Sequence, residues 1–151
     1  MEAARLALEQ SWCSVVQVEH NLLNPSVVRA VASRKQSWQR LVVRSIFCKG
    51  LLTSRRVLAT HLPEGTLARL NRLEEIAREW GMSLPELASR FALDTPGVDL
   101  ALVGVSQLAE LEMVLASVRR RPLEPRQIEL LRAFDVSSES WVHPKRWPVA
   151  A

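Results

Sequence analysis

The sequence predicts an α/β fold in which short parallel strands alternate with helices that cover them. Three apolar stretches, at residues 14–19, 41–44 and 99–105, have the length and composition of buried strands. Helical patterns of apolar residues lie before, between and after them, and such alternation favours a parallel sheet. The chain has 151 residues, of which 48% are hydrophobic, and this is enough for one domain with its own core.

The N-terminal part of the chain predicts a helix, a strand and a second helix. Residues 2–9 are good helix formers with apolar side chains at helical spacing. The strand at residues 14–19 follows. After a short loop, Asn24 is a suitable N-cap and Pro25 suits a first helical position, so we expect a helix over residues 25–37.

The second predicted strand, at residues 41–44, opens directly into a loop that carries Ser45, Lys49 and Gly50. Parallel α/β folds place ligand contacts at the carboxyl ends of their strands, because backbone groups and small polar side chains converge there. Residues 41–53 are therefore the first candidate for a functional segment.

The rest of the chain predicts four further helices and the third strand, after a long connection. Gly81 ends a strongly amphipathic helix, and Ser83 with Glu86 forms a capping box that opens the next one. The expected bounds are residues 53–65 for the connection, 66–80 and about 84–93 for these helices, 99–105 for the strand, and 108–118 and 125–134 for the last two helices.

Composition excludes some classes of protein. No run of about 18 apolar residues exists, so the sequence predicts no transmembrane helix. The N-terminus carries Glu2 and Arg5 and lacks the apolar segment of a secretory signal, which favours the cytoplasm. The net charge of +4 permits nucleic-acid binding, but the basic residues are spread along the chain.

Cysteine and histidine usage predicts neither a disulfide framework nor a metal site. Cys13 and Cys48 are expected to be free thiols, since two cysteines are too few for a framework and a reducing compartment is favoured. His20, His61 and His143 are scattered, with no second ligand at metal-binding spacing.

Three segments, in this order and spacing, resemble the C-terminal half of the aldo-keto reductase barrel. Residues 14–23 are similar to that family's sixth strand and the loop after it. Residues 44–53, Arg-Ser-Ile-Phe-Cys-Lys-Gly-Leu-Leu-Thr, are similar to the end of the seventh strand. Residues 76–93, followed by 96–99 and 102–106, are similar to the seventh helix and the eighth strand.

The resemblance implies a partial (β/α)8 TIM barrel, with about three parallel strands and covering helices over residues 1–135 and an irregular tail over residues 136–151. The family reaction it implies is NADPH-dependent reduction of aldehydes or ketones, with a tyrosine as proton donor. This sequence contains no tyrosine. The family's catalytic residues lie on strands that the matching segments do not include. We therefore expect a truncated or split half-barrel that is inactive alone and has no catalytic residue of its own.

The resemblance also implies cofactor-binding positions at the first two strands. Gln17 matches the residue that contacts the nicotinamide amide. Arg44 stands where many members keep an aromatic residue that stacks on the nicotinamide ring. Ser45 matches a serine that contacts the pyrophosphate, and Phe47 and Lys49 follow in the same loop. A polar residue within the strand layer remains the alternative for Gln17, and core packing the alternative for Phe47.

At the third strand, Gly104 and Val105 fall in the family's phosphate-binding turn, at the start of a helix whose N-terminus suits an anion. Glu110 stands where an Arg or Gln often meets the adenosine 2′-phosphate of NADP. Met113 and Val114 stand where Glu and Asn usually hold the adenine. A carboxylate repels a 2′-phosphate, so these positions depart from the NADP pattern.

Two other classes of function stay open from the residues alone. The helix pair around Gly81 has the outline of a helix-turn-helix DNA-binding motif, with Arg90 as a phosphate contact. The second class is a non-catalytic interaction module, because a half-barrel exposes strand edges and an apolar face. Its partner would be an N-terminal half-barrel chain or a second copy. Cys48 beside Lys49 raises a further alternative, a thiol with a lowered pKa, against an inert buried cysteine.

Overall fold

The computed structural model describes residues 1–53 and 65–139, and a three-stranded parallel sheet lies at their centre. The strand order is β1-β2-β3, which follows the order in the sequence. The strands are β1 (Val15–Glu19), β2 (Arg40–Arg44) and β3 (Leu100–Ala101). The predicted α/β fold with parallel strands is thus confirmed. Because all strands are parallel, their carboxyl ends lie at the same edge of the sheet.

Helices connect the strands and cover the sheet. The helices and strands follow the predicted order along the chain. The predicted capping box of Ser83 and Glu86 is present at the start of α4. The helices are α1 (Glu2–Leu8), α2 (Ser26–Val31), α3 (Thr66–Glu79), α4 (Leu84–Asp94), α5 (Leu108–Arg119) and α6 (Pro125–Arg132), with short 3₁₀ turns at Ala32–Arg34 and Cys48–Gly50.

Two elements are several residues shorter than predicted. The helix expected over residues 25–37 ends at Val31 and continues only as a 3₁₀ turn, and Pro25 is its N-cap rather than its first helical residue. The strand expected over residues 99–105 is reduced to Leu100–Ala101, whose register partners on β2 are Val42 and Val43. Residues 54–64 of the predicted connection and residues 140–151 of the predicted tail lie outside the described part of the chain.

One hydrophobic cluster lies between the sheet and the helices α1 and α2. Val16 and Val18 of β1 and their register partners Leu41 and Val43 of β2 point into it. A second cluster joins α3, α4 and α6, with Phe91 fully buried in it. The partly buried Phe47 packs against both clusters, so the loop after β2 is attached to the whole core.

The opposite face of the sheet is open. Side chains alternate between faces along a strand, and Val15, Gln17 and Leu100 are exposed on this second face. More than half of the surface of Val15 and Leu100 is accessible. A parallel sheet is normally covered on both faces, so in the described structure one face lacks its cover.

Candidate functional site

A pocket opens where the carboxyl ends of β2 and β3 meet the loop after β2 and the start of α5. Its volume is about 980 Å³. Six of the seven residues that the sequence singled out for cofactor binding line it together, although they come from segments that are far apart in the chain: Arg44, Ser45, Phe47, Lys49, Gly104 and Val105.

Gln17, the seventh of these residues, does not line the pocket. It lies on β1 in register with Val42, and its side chain is exposed on the open face of the sheet. A closed barrel would cover this face, so the contact to nicotinamide and the alternative of a polar residue within the strand layer both stay predictions. Arg44 lies two residues beyond Val42 on β2, so Gln17 is one strand away from the pocket on the same side of the sheet.

The loop after β2 has an unusual backbone. Ser45, Cys48 and Lys49 have positive φ angles of 59°, 46° and 53°, and non-glycine residues rarely adopt this region. Hydrogen bonds hold the turn, with Cys48 N donating to Ser45 O at 2.9 Å and Thr53 Oγ1 donating to Gly50 O at 2.6 Å. Strained backbone of this kind concentrates at ligand-binding segments. Only Gly50 signals positive φ in the sequence.

Asn21 is a positioning residue that the sequence analysis missed. It is fully buried, and its Oδ1 accepts hydrogen bonds from the backbone amides of Leu23 and Asn24, both at 3.0 Å. Its Nδ2 donates to Ser45 O at 3.2 Å. Asn21 thereby ties the loop after β1 to the pocket loop. The sequence feature that indicates this role is an asparagine in a loop, because its side chain can accept from backbone amides two and three residues later, as in an Asx turn.

The β2 end of the pocket carries cations and hydroxyl groups. Arg44 Nη1 donates to Ser45 Oγ at 2.9 Å, and Lys49 is exposed at the pocket wall. Guanidinium, ammonium and hydroxyl donors are the groups that bind phosphate. This end therefore fits a phosphate-bearing ligand.

The α5 end of the pocket has the opposite character. Glu110 Oε2 accepts hydrogen bonds from Ser106 N at 2.7 Å, Ser106 Oγ at 3.0 Å and Gln107 N at 3.3 Å. Ser106 and Gln107 precede Leu108, the first helical residue of α5, so these bonds belong to the capping box of that helix. They hold the Glu110 side chain at the pocket wall, where it adds a negative charge.

Cys48 is not a reactive thiol. It is fully buried, and this burial, together with the charge of Glu19, raises the pKa of the thiol to about 12 although Lys49 acts in the opposite direction. The alternative of a thiol with a lowered pKa is wrong, because proximity to Lys49 in sequence does not outweigh desolvation.

Helices α3 and α4 form a packed hairpin in which the expected phosphate contact of the DNA-binding alternative, Arg90, is buried. Most of α4 is buried, and Arg90 is only 5% exposed. The Arg90 guanidinium is paired with Asp94 within the core region, so it cannot reach a phosphate. Among residues 1–53 and 65–139, no group of three or more metal-ligating side chains comes together. No helix in the same ranges is long and apolar enough to cross a membrane.

The sequence was also compared with families of known proteins. The model of the aldo/keto reductase family matches residues 2–136, which is most of the chain. The chain belongs to the aldo/keto reductase family. No curated protein sequence matches it significantly.

Solved structures of aldo/keto reductases have the same fold as this chain. The apo form of aldo-keto reductase AKR11C1 from Bacillus halodurans superposes with a TM-score of 0.68 at 20% identity, over 89% of this chain and 48% of the reductase. Its holo form gives 0.66 at 20% identity, over 89% and 47%. The glycerol dehydrogenase AKR11B4 from Gluconobacter oxydans gives 0.63 at 17% identity, over 80% and 41%.

The chain thus spans less than half the length of these structures. Its three strands and the helices around them are part of a TIM barrel. The open face of the sheet is the one that would line the interior of a closed barrel, where side chains from the other strands would cover it. The partial TIM barrel expected from the sequence is confirmed.

The two ends of the pocket differ in how they fit the nicotinamide cofactor that the resemblance implies. Arg44, Ser45 and Lys49 at the β2 end fit a pyrophosphate. Ser106, Gln107 and Glu110 at the α5 end do not fit a 2′-phosphate, because the amides are occupied and the nearest charge is negative.

Proposed function

We propose that this aldo/keto reductase chain is a cofactor-holding half-barrel that binds a nicotinamide dinucleotide and does not reduce a substrate by itself. The observation that supports the proposal most directly is the single pocket that gathers six matched positions from β2, its loop and the turn before α5. Arg44, Ser45 and Lys49 bind the pyrophosphate, and Phe47 closes the pocket against the core. Gln17 faces the nicotinamide end from the neighbouring strand.

The complete reaction of the family, NADPH-dependent reduction of an aldehyde or ketone, requires groups that this chain does not supply. Its sequence has no tyrosine to act as proton donor. Within residues 1–53 and 65–139, the open face of the sheet has no wall to exclude water from a hydride transfer. A segment that carries the other strands of the barrel would have to provide both. We place the chain in the cytoplasm, where the free thiols of Cys13 and Cys48 persist.

The proposal is tested by calorimetric titration of the chain with NADH and with NADPH. Arg44→Ala removes a guanidinium from the phosphate end, so we expect dinucleotide affinity to fall about tenfold, and Ser45→Ala to lower it by a smaller factor. Arg34→Ala is the matched control, because Arg34 is an exposed arginine outside the pocket.

A second measurement mixes the chain with NADPH and a panel of simple aldehydes, and we expect no oxidation of the cofactor. Turnover that is lost on Gln17→Ala or Ser45→Ala would show that the chain is active alone. Binding that Arg44→Ala leaves unchanged would show that the pocket is not the dinucleotide site.

A second candidate function, a self-associating interaction module, is supported by one surface of α5. Four apolar side chains that are 40% or more exposed recur with spacings of three, four and three residues: Leu108, Leu111, Leu115 and Val118. This is the spacing of a helix–helix seam. We propose that a second copy of the chain covers this α5 stripe.

The charges beside the α5 stripe favour an antiparallel pairing of two α5 helices. Glu112 and Arg119 lie seven residues apart and therefore on the same border of the stripe. Both are exposed, and neither forms an ion pair within the described residues. In an antiparallel pair, Glu112 of one copy approaches Arg119 of the other, which gives two opposite-charge contacts related by a two-fold axis.

A further inference from the structure

The pocket carries charges of opposite sign at its two ends, and this limits the ligands that it can take. Arg44 and Lys49 stand at the β2 end, and Glu110 stands at the α5 end. A ligand that spans the pocket therefore needs an anionic group at one end and a neutral group that donates hydrogen bonds at the other.

The hydrogen bonds that begin α5 fix the position of the Glu110 side chain. Its carboxylate closes the capping box of α5 by accepting from the Ser106 and Gln107 amides, at 2.7 and 3.3 Å. Moving the carboxylate aside for an anion would break its bonds to these amides and to Ser106 Oγ and would not remove its charge from the pocket wall. The repulsion is therefore built into the fold of the helix end.

We infer that Glu110 selects a nicotinamide dinucleotide with free ribose hydroxyls over one with a 2′-phosphate, so that the chain prefers NAD(H) to NADP(H). A carboxylate has several lone pairs and accepts hydrogen bonds from hydroxyl groups. The same carboxylate repels a phosphate dianion at close range. This inference rests on the proposed function, since it concerns the ligand of the same pocket.

The test is a calorimetric titration of the whole chain with NADH and with NADPH, in the wild type and in Glu110→Gln. Glutamine keeps an oxygen that can accept from the Ser106 and Gln107 amides, so the helix end is preserved while the charge is removed. We expect the wild type to bind NADH at least about tenfold more tightly than NADPH, and Glu110→Gln to reduce this ratio to about threefold or less. Higher salt should reduce the wild-type ratio as well.

Glu9→Gln is the control for the change in net charge, because Glu9 is an exposed glutamate that does not line the pocket. It should leave the ratio unchanged, and circular dichroism should show equal helix content in all three proteins. Equal or tighter binding of NADPH by the wild type overturns the inference. So does a preference for NADH that Glu110→Gln leaves unchanged. Absence of binding by either dinucleotide overturns the proposed function itself, and the inference with it.

Discussion

His20 shows how one buried side chain at the end of β1 sets its own protonation state. It is fully buried and stacks on Phe91, with ring centroids 5.1 Å apart. Thr95 Oγ1 donates its only proton to Phe91 O at 2.6 Å, so the 3.0 Å contact between His20 Nε2 and Thr95 Oγ1 requires Nε2 to carry a proton. His20 Nδ1 then has no partner among the described residues. The neutral ring is the form that this site accommodates.

Acid should therefore destabilise the chain through His20. Burial, assisted by the charge of Arg132, lowers the pKa of His20 from 6.5 to about 4. Between pH 6.5 and 4, His20 binds a proton in the unfolded chain but stays neutral in the folded chain. The free energy of unfolding therefore falls as the pH falls towards 4. The loss is on the order of 3 kcal/mol across this window. Urea denaturation at pH 7 and pH 5 should show about 2 kcal/mol of this loss, because pH 5 lies above the lower end of the window.

The variant His20→Gln supplies the control for this pH dependence, because glutamine cannot titrate and still donates to Thr95. It should lower stability at pH 7 but flatten the slope between pH 7 and pH 5. An unchanged slope would show that other groups cause the acid sensitivity.

At the scale of elements, a buried ion pair joins α4 to both of the helices that follow it. Arg90 Nε donates to Asp94 Oδ2 at 3.0 Å, and Arg90 Nη1 donates to Val118 O at 3.1 Å near the end of α5. Asp94 Oδ2 also accepts from Leu123 N at 2.8 Å, just before α6. The side chains of Arg90 and Asp94 are at most 10% exposed. Together they fix the C-terminal helices against the hairpin.

Removing one partner of this pair should be strongly destabilising. Arg90→Leu leaves the Asp94 carboxylate buried without its counter-charge, and we expect a loss of about 3 kcal/mol in the free energy of unfolding. Arg72→Leu removes an arginine from an exposed ion pair with Glu75 and should leave the urea midpoint essentially unchanged. Equal effects of the two substitutions would show that the Arg90 pair adds no more than a surface pair.

At the scale of the whole molecule, two apolar surfaces are exposed: the sheet face that would line the interior of a closed barrel, and the α5 stripe. The described chain leaves them exposed, with Leu108 70% accessible at the start of the stripe. Contiguous apolar surface of this kind marks an interaction site or an association hazard. The pocket and the stripe lie on different sides of α5, so cofactor binding and association can be tested separately.

Sedimentation velocity should show concentration-dependent dimers of the wild-type chain. The double substitution Leu111→Glu and Leu115→Glu places charges in the seam and should give monomers. Leu130→Glu on α6 is the matched control, since Leu130 is 48% exposed but lies outside the stripe, and it should leave the dimer intact. A wild-type monomer at high concentration would contradict self-association, as would a dimer that survives the double substitution.

The elements of this fold could be predicted because their signals are local. Valine-rich stretches give strands, Ser83 and Glu86 give a helix start, and Gly81 gives a helix end. The third strand was predicted too long because strand length depends on backbone pairing, which apolar composition does not report, and within residues 99–105 the register with β2 covers Leu100–Ala101.

The sequence by itself determined that the chain forms β/α units of a barrel and which residues would gather at the carboxyl ends of the strands. The tertiary structure decided the properties of the pocket. It set the left-handed loop at Ser45, the contact from Asn21 that holds this loop, and the capture of the α5 amides by Glu110. Local patterns report the preferences of neighbouring residues, but these features depend on groups that only folding brings within hydrogen-bonding distance.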